Sequence, residues 1–210
     1  MMTEAALLSF VAALFSIMNP VGNVGIFASL TTDRTGAQAR HSAWTCAVAV
    51  AIILLVVTWT GSLLLEFFGI TVDALKAAGG VIVFLIGLSM LANNNVHRHT
   101  PAEHEDAKTR PSIGVVPLAI PIVAGPGTMA TVLVVAQQDP AILSKFEITA
   151  VILALSVLVG FLFSFAKPIS NWLGEAGMGV VTRVMGMVLA TIAIGMLTDG
   201  LKGLLPGLAA

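Results

Sequence analysis

The 210 residues are 57% hydrophobic and only 10% charged, with a formal net charge of −1 and a mean hydropathy of +0.99. Soluble domains carry about 25% charged residues, so this composition excludes a soluble domain and predicts an integral protein of the lipid bilayer. The near-neutral charge and the scattered basic residues argue against a nucleic-acid partner. The single cysteine, Cys46, has no second cysteine with which to form an intrachain disulfide.

Six apolar stretches follow one another along the chain. Each is close to the length of about 20 residues that crosses a bilayer as a helix, and none alternates like a strand. Because the connecting loops are short, we expect six membrane helices that pack as sequential antiparallel neighbours. The acidic Glu4 and the absence of a small-residue cleavage site favour an uncleaved first span over a signal peptide. The stretches are 5–30, 43–65, 74–92, 115–136, 148–166 and 180–198.

Loop charge predicts the orientation in the membrane. The loops after the first, third and fifth spans hold seven Lys and Arg residues and the other loops hold three. Basic loops stay in the cytoplasm, so both chain termini are expected outside, in the periplasm of a cell that has one. The seven are Arg34, Arg40, Arg98, Lys108, Arg110, Lys167 and Arg183, and the three are Lys76, Lys145 and Lys202.

The chain contains a weak internal repeat. Three pairs of matching landmarks lie 106 to 108 residues apart: Pro20 and Pro126, Gly79 and Gly186, and Gly87 and Gly195. They predict a first three-span repeat at 1–92, a polar cytoplasmic linker at 93–114 and a second three-span repeat at 115–210. An odd number of spans inverts the second repeat, as in many secondary transporters. The alternative is chance similarity between glycine-rich spans. The small residues at 77–80 and at 186 and 190 are expected to serve helix packing.

Two stretches, 16–23 and 121–128, interrupt apolar runs with a proline between small or amide residues. Proline lacks the N–H that a helix needs, so helices 1 and 4 are expected to break near the bilayer midplane. The helical piece after each break presents free N–H groups and a partial positive charge, which suit a carboxylate. The alternative is a pair of ordinary proline kinks. The predicted substrate-binding residues are Asn19, Pro20, Gly22, Asn23, Gly125, Pro126, Gly127 and Thr128.

Other chemistries have little support in the sequence. The polar loop contains His97, His99 and His104, but their spacing matches no closed ligand set, so no metal and no cofactor are expected. No Ser/His or paired-acid arrangement lies within a span, so an enzyme is not expected either. There is no ATP-binding loop, and no acid marks a proton path, so a proton or sodium coupling ion is left open.

The motif at 19–27, Asn-Pro-Val-Gly-Asn-Val-Gly-Ile-Phe, resembles the signature of the MarC family of bacterial membrane proteins, with Gly25 where proline is often found. The segments 116–128 and 183–186 resemble further motifs of that family. The resemblance implies six spans, a bacterial inner-membrane location and a relation to the LysE-like exporter superfamily. Some members are described as transporters of small neutral amino acids. The sequence therefore favours a secondary transporter of such amino acids or similar small zwitterions, with an accessory or scaffold protein, or an exporter of another small metabolite, as alternatives. Oligomeric state and direction of transport stay open.

Overall fold

The computed structural model describes residues 2–92, 114–205 and 207. Within these residues the regular structure is entirely helical, as predicted. Most of the predicted linker, 93–113, lies outside the described residues, and so do its three histidines. The eight described helices are α1 (Glu4–Met18), α2 (Asn23–Leu30), α3 (Gly36–Phe68), α4 (Val72–Leu91), α5 (Gly114–Val123), α6 (Pro126–Gln138), α7 (Ile142–Ser164) and α8 (Ala166–Leu204).

Threonine side chains begin three of the helices. Thr3, Thr35 and Thr71 each accept a hydrogen bond from the backbone N–H three residues further on. At Thr35 the side chain of Gln38 returns the interaction and completes a capping box. Gly69 ends α3 with a φ of +64°, a left-handed conformation that glycine adopts without steric cost. Polar caps and one glycine therefore place the turns that separate these apolar helices.

Two helices depart from regular α geometry. In α5 the backbone is π-helical, and the N–H of Ala124 continues this pattern by donating to the carbonyl of Ala119, five residues back, at 2.9 Å. In α8, Gly174 has φ +65° and ψ 178° and lies outside the helical region. The kink separates a short segment at the start of α8 from the long helix that follows.

Five helical stretches in the described chain are long and apolar enough to cross a membrane, compared with the six that were predicted. The predicted fourth span, 115–136, is divided between α5 and α6, which have 10 and 13 residues. Large apolar side chains such as Phe67, which is 81% exposed, cover the outer surface, as expected for a surface in contact with lipid. The five stretches are Glu4–Leu30, Gly36–Phe68, Val72–Leu91, Ile142–Ser164 and Ala176–Leu204.

The helices do not pack mainly as neighbours in sequence, so that prediction was wrong. The most extensive contacts join α4 with α8 and α3 with α7. Both pairs are antiparallel. In the α3–α7 pair, Trp59 near the end of α3 donates to Thr149 near the start of α7. At the other end of this pair, Ala47 near the start of α3 lies beside Gly160 near the end of α7. Short loops restrict which helices can be neighbours, but complementary surfaces decide which helices pair.

Glycines allow α4 and α8 to approach backbone to backbone. A Cβ atom on Gly80 would lie 2.7 Å from the backbone nitrogen of Leu197, and one on Gly87 would lie 2.9 Å from the carbonyl oxygen of Gly186. Gly80 and Gly87 are seven residues apart and share one face of α4. The prediction that small residues of these helices serve packing is confirmed at Gly80 and Gly186.

The opposite end of the molecule from the N-terminus of α1 is held together by polar and aromatic contacts. Phe27 of α2 stacks on Phe163 of α7 with ring centroids 4.7 Å apart. The Lys167 ammonium donates to the carbonyl oxygens of Thr32, at 3.2 Å, and Arg34, at 3.1 Å. The loop after α2 is thereby attached to the start of α8.

Candidate functional site

The first interruption is residues 19–22, between α1 and α2. Asn19 is the residue after α1 and has φ +46° and ψ +53°, the only positive φ of a non-glycine residue in the described chain. Asparagine tolerates this left-handed conformation better than most residues. The chain changes direction here because Pro20 has no N–H with which to continue α1.

The amide side chain of Asn19 forms hydrogen bonds within this interruption. Its Oδ1 accepts the N–H of Gly22 at 3.2 Å, and its Nδ2 lies 3.7 Å from the sulfur of Met90 on α4. A Cβ atom on Gly22 would lie 2.8 Å from the Asn19 Cγ, so a glycine leaves room for the amide. Asn23 adds a bond of 3.0 Å from its Nδ2 to the carbonyl of Met18. Asn19 and Asn23 are only 6% and 7% exposed.

As a result, the first N–H groups of α2 already have acceptors. Besides Gly22, the N–H of Asn23 donates to the Asn19 carbonyl at 3.0 Å and that of Val24 to the Val21 carbonyl at 3.2 Å. The start of α2 retains its partial positive charge. It offers fewer free donors than the sequence pattern predicts.

The second interruption is residues 124–125, between α5 and α6. Gly125 precedes α6 in an extended conformation and no side chain caps it, while Pro126 occupies the first turn. The hydroxyl of Thr128 reaches back across the interruption and donates to the Val123 carbonyl at 2.8 Å. The N–H groups of Gly127 and Thr128 have no acceptor within α6, because both residues lie in the first turn of that helix, and no side chain of residue 125 caps them. The start of α6 therefore has backbone N–H donors available, whereas the corresponding N–H groups of α2 are already hydrogen-bonded.

Neighbouring helices surround the second interruption. A Cβ atom on Gly127 would lie 2.5 Å from Val83 Cγ2 on α4 and 3.6 Å from Ile17 Cγ2 on α1. Ile17 is two residues before Asn19, so the last turn of α1 contacts the first turn of α6. Of the predicted site residues, only Pro126 is exposed, while the other seven are buried.

A cavity of about 340 Å³ lies between α1, α4, α6 and α8. Its inner part includes Thr131, which is one turn beyond Gly127 and donates to the Gly127 carbonyl at 2.9 Å. Its outer part includes Lys76, Gln138 and Asp199, which lie at helix ends and form what we call the polar mouth. The lining residues are Met2, Ala6, Ser9, Phe10, Ala13, Lys76, Thr131, Val134, Val135, Gln138, Ile192, Met196 and Asp199.

Sequence reasoning missed the cavity. It assigned Asp199 to no site, and it used Lys76 only to predict the orientation in the membrane. Four helices contribute the lining, and their residues are up to 197 positions apart, so no local motif marks the site. One available signal was Lys76, a basic residue inside the predicted third span.

Comparison with known proteins identifies the relatives of the chain. Residues 5–205 match the model described as "MarC family integral membrane protein". The membrane protein YvbG of Bacillus subtilis is 37% identical over 92% of this chain and 93% of its own length. YhcE of Escherichia coli is 34% identical over 95% and 93% of the two chains, and a Pyrococcus abyssi membrane protein is 34% identical over 90% and 91%.

No solved structure matches the chain. The named relatives are described only as membrane proteins, so the comparisons identify the family of the chain but indicate no substrate. The family match covers both interruptions, the α4–α8 contact and every cavity-lining residue except Met2. The chain belongs to the MarC family of integral membrane proteins.

Proposed function

We propose that this protein is a secondary transporter of small neutral amino acids or similar small zwitterions, working by alternating access. One observation carries the proposal. The cavity extends to Thr131, and the hydroxyl of Thr131 is bonded to Gly127 in the first turn of α6. A polar opening thus leads to within one helical turn of free N–H groups at a helix start. Such half-helix starts hold substrate carboxylates in transporters.

The substrate carboxylate would accept hydrogen bonds from the N–H groups of Gly127 and Thr128. The start of α2 would contribute its partial positive charge, and only secondarily its donors, because Asn19 occupies those. Val83 and Ile17 lie against Gly127 and leave little room beyond the carboxylate. This restriction favours small substrates such as glycine and alanine. No metal or cofactor takes part in the proposal.

Alternating access would use two inverted three-helix repeats, with the α5–α6 segment as the fourth of six spans. In support, helices at equivalent places in the two halves are antiparallel partners. Asp73 at the start of α4 lies near Gly200 toward the end of α8, and Met90 at the end of α4 lies near Gly186. α3 and α7 are paired in the same way. Two inverted halves that rock against each other would expose a central site to each side in turn.

The described conformation would be the one open to the outside of a bacterial inner membrane. The cavity opens at the end that contains the N-terminus of α1, which basic-loop counting predicts to be outside. At the other end, Lys167 attaches the loop after α2 to the start of α8. We propose that these two hydrogen bonds break when the site opens to the cytoplasm.

Flux in proteoliposomes tests the function. Purified protein should take up radiolabelled alanine and glycine saturably and exchange them in counterflow. A proton gradient and a sodium gradient, imposed in turn, would identify the coupling ion. Gly127→Leu should abolish the flux, since its side chain would clash with Val83 and displace the first turn of α6 from the proposed carboxylate site.

Thr191→Val is the matched control, because Thr191 is an exposed threonine of α8 that bonds only its own helix, at 2.9 Å to the Met187 carbonyl. It should transport like the wild type. A folded wild-type protein that gives no flux above empty liposomes would contradict transport of these substrates. It would favour the accessory or scaffold role.

A further inference from the structure

We infer that the polar mouth of the cavity is a charge-paired selection site for zwitterions, in which Lys76 binds the carboxylate of the incoming molecule and Asp199 binds its ammonium group. The inference rests on the proposed function, since it describes how a transported amino acid would first be recognised. It adds a second contact site, at the outer end of the same cavity.

Lys76 is placed to bind an anion within the cavity. Its side chain is only 18% exposed, and its Nζ lies 3.4 Å from Asp73 Oδ1, a long and therefore weak ion pair. Glycine at position 203 provides the space at the end of α8 that the Asp73 carboxylate occupies. Asp73 is thus held against α8, and Lys76 lines the cavity whereas Asp73 does not. A carboxylate in the mouth would compete with Asp73 for the ammonium.

Asp199 supplies the opposite charge. It lines the same cavity from α8 and is exposed. No cation pairs with it among the residues that the structure describes. An ammonium group in the mouth would therefore gain an acceptor that no other group has to release.

The rest of the cavity lining is largely neutral, which explains the selection. Ala6, Ala13, Val134 and Ile192 are apolar, and the neutral hydroxyls of Ser9 and Thr131 lie among them. A charged ligand that enters apolar surroundings loses hydration, and it regains stability only if each charge finds a partner. A zwitterion satisfies both Lys76 and Asp199. A simple carboxylate or a simple amine satisfies one and leaves its other partner unused.

Equilibrium binding of radiolabelled alanine to the purified protein in nanodiscs tests the inference, with propionate and ethylamine as competitors that lack one charge each. Wild-type protein should bind alanine at least about tenfold more tightly than either competitor, as expected for loss of one charge-assisted hydrogen bond. Lys76→Met and Asp199→Asn should each weaken alanine binding by a similar factor. Lys76→Arg, which keeps the charge, should retain most of the binding.

The selectivity change separates recognition from structural damage. Asp199→Asn should narrow the preference for alanine over propionate, and Lys76→Met should narrow it over ethylamine, whereas a merely destabilised protein would lose all three ligands together. Lys202→Met and Glu66→Gln remove exposed charges on the same side of the molecule and outside the cavity. Both controls should bind like the wild type.

Flux measured on the same proteins distinguishes this inference from the proposed function. Alanine transport that is unchanged in Lys76→Met and Asp199→Asn would overturn the inference and leave the transporter intact. Charge-dependent alanine binding without any flux would support the mouth site and overturn transport. Folded wild-type protein that binds no alanine would overturn the inference.

Discussion

The two interruptions share a proline and nearby glycines, but they are stabilised in different ways. The first is closed by its own residues, because the Asn19 side chain accepts the Gly22 N–H and the next two N–H groups bond to nearby carbonyls. The second depends on its neighbours, with Val83 and Ile17 against Gly127, and its first N–H groups have neither a side-chain cap nor an acceptor within α6.

The difference originates in the residue before each proline. Asparagine at position 19 brings a side-chain acceptor to the start of α2, whereas glycine at position 125 brings none to the start of α6. A proline in a membrane helix therefore does not by itself create a binding site. The preceding residue decides whether the exposed donors are used internally or remain available to a ligand.

The largest expected loss of stability tests the hydrogen bonding of Asn19 within the first interruption, which we call its internal closure. Gly22→Ala should destabilise the protein by about 2–3 kcal/mol, because the new Cβ displaces the Asn19 amide and breaks its bond to the Gly22 N–H. Unfolding in detergent, followed by tryptophan fluorescence, measures the loss. Gly36→Ala is the matched control, since nothing lies within 4 Å of a Cβ at that position. Equal losses in the two variants would contradict the internal closure.

The second prediction tests whether the other interruption depends on α4. Gly127→Ala should cost about 1–2 kcal/mol through crowding of Val83, and Val83→Ala in the same protein should recover part of that loss. A double-mutant cycle on unfolding free energies measures the coupling. The same Val83→Ala change should not rescue Gly22→Ala. If Val83→Ala restored the stability of both glycine variants, dependence on α4 could no longer be claimed for the second interruption alone.

An effect of similar size is expected for the loss of the Asn19 side chain. Asn19→Ala should cost about 1–2 kcal/mol, since it loses the side-chain cap and places alanine at a positive φ. Asn19→Gly loses the cap but adopts the left-handed conformation freely, so it should cost less. Thermal unfolding of the two purified variants compares them. A glycine variant that is less stable than the alanine variant would show that conformation matters little at this position.

Thr128→Val should have the smallest effect on stability but a clear effect on alanine uptake. Thr128→Val removes one hydrogen bond, to the Val123 carbonyl, and should cost only about 1 kcal/mol. Because Thr128 lies beside the proposed carboxylate site, alanine uptake should nevertheless fall further than in Asn19→Gly. Alanine uptake and unfolding free energy, measured on both variants, test whether the variant with the smaller loss of stability has the larger loss of uptake. Uptake that simply follows stability in both variants would count against different roles for the two interruptions.

Hydropathy alone predicts the membrane class and the helical state, since runs of this length and apolarity have few alternatives in a bilayer. Helix boundaries also fall at the prolines that the sequence marks, because a residue without an N–H cannot continue a helix. The inverted repeat and the substrate-binding assignments remain predictions.

Helix pairing and the cavity were beyond sequence reasoning. The backbone contact between Gly87 and Gly186 joins residues 99 positions apart, and chain proximity favoured other partners. The polar mouth combines Lys76, Gln138 and Asp199 from three helices. Gln138 and Asp199 are ordinary residues near the ends of their helices, and Lys76 on its own does not identify its partners. Their shared role becomes visible only once the helices are placed side by side.

The glycine contact between α4 and α8 has a consequence for how the protein is made. Gly87 leaves the ribosome about a hundred residues before Gly186, the residue against which it packs. During that interval α4 resides in the bilayer with its narrow glycine face covered only by lipid or by temporary neighbours. A chain that stalls before α8 therefore keeps the glycine face of α4 without the helix against which it packs. Completion of synthesis and completion of the fold become the same event for this helix pair.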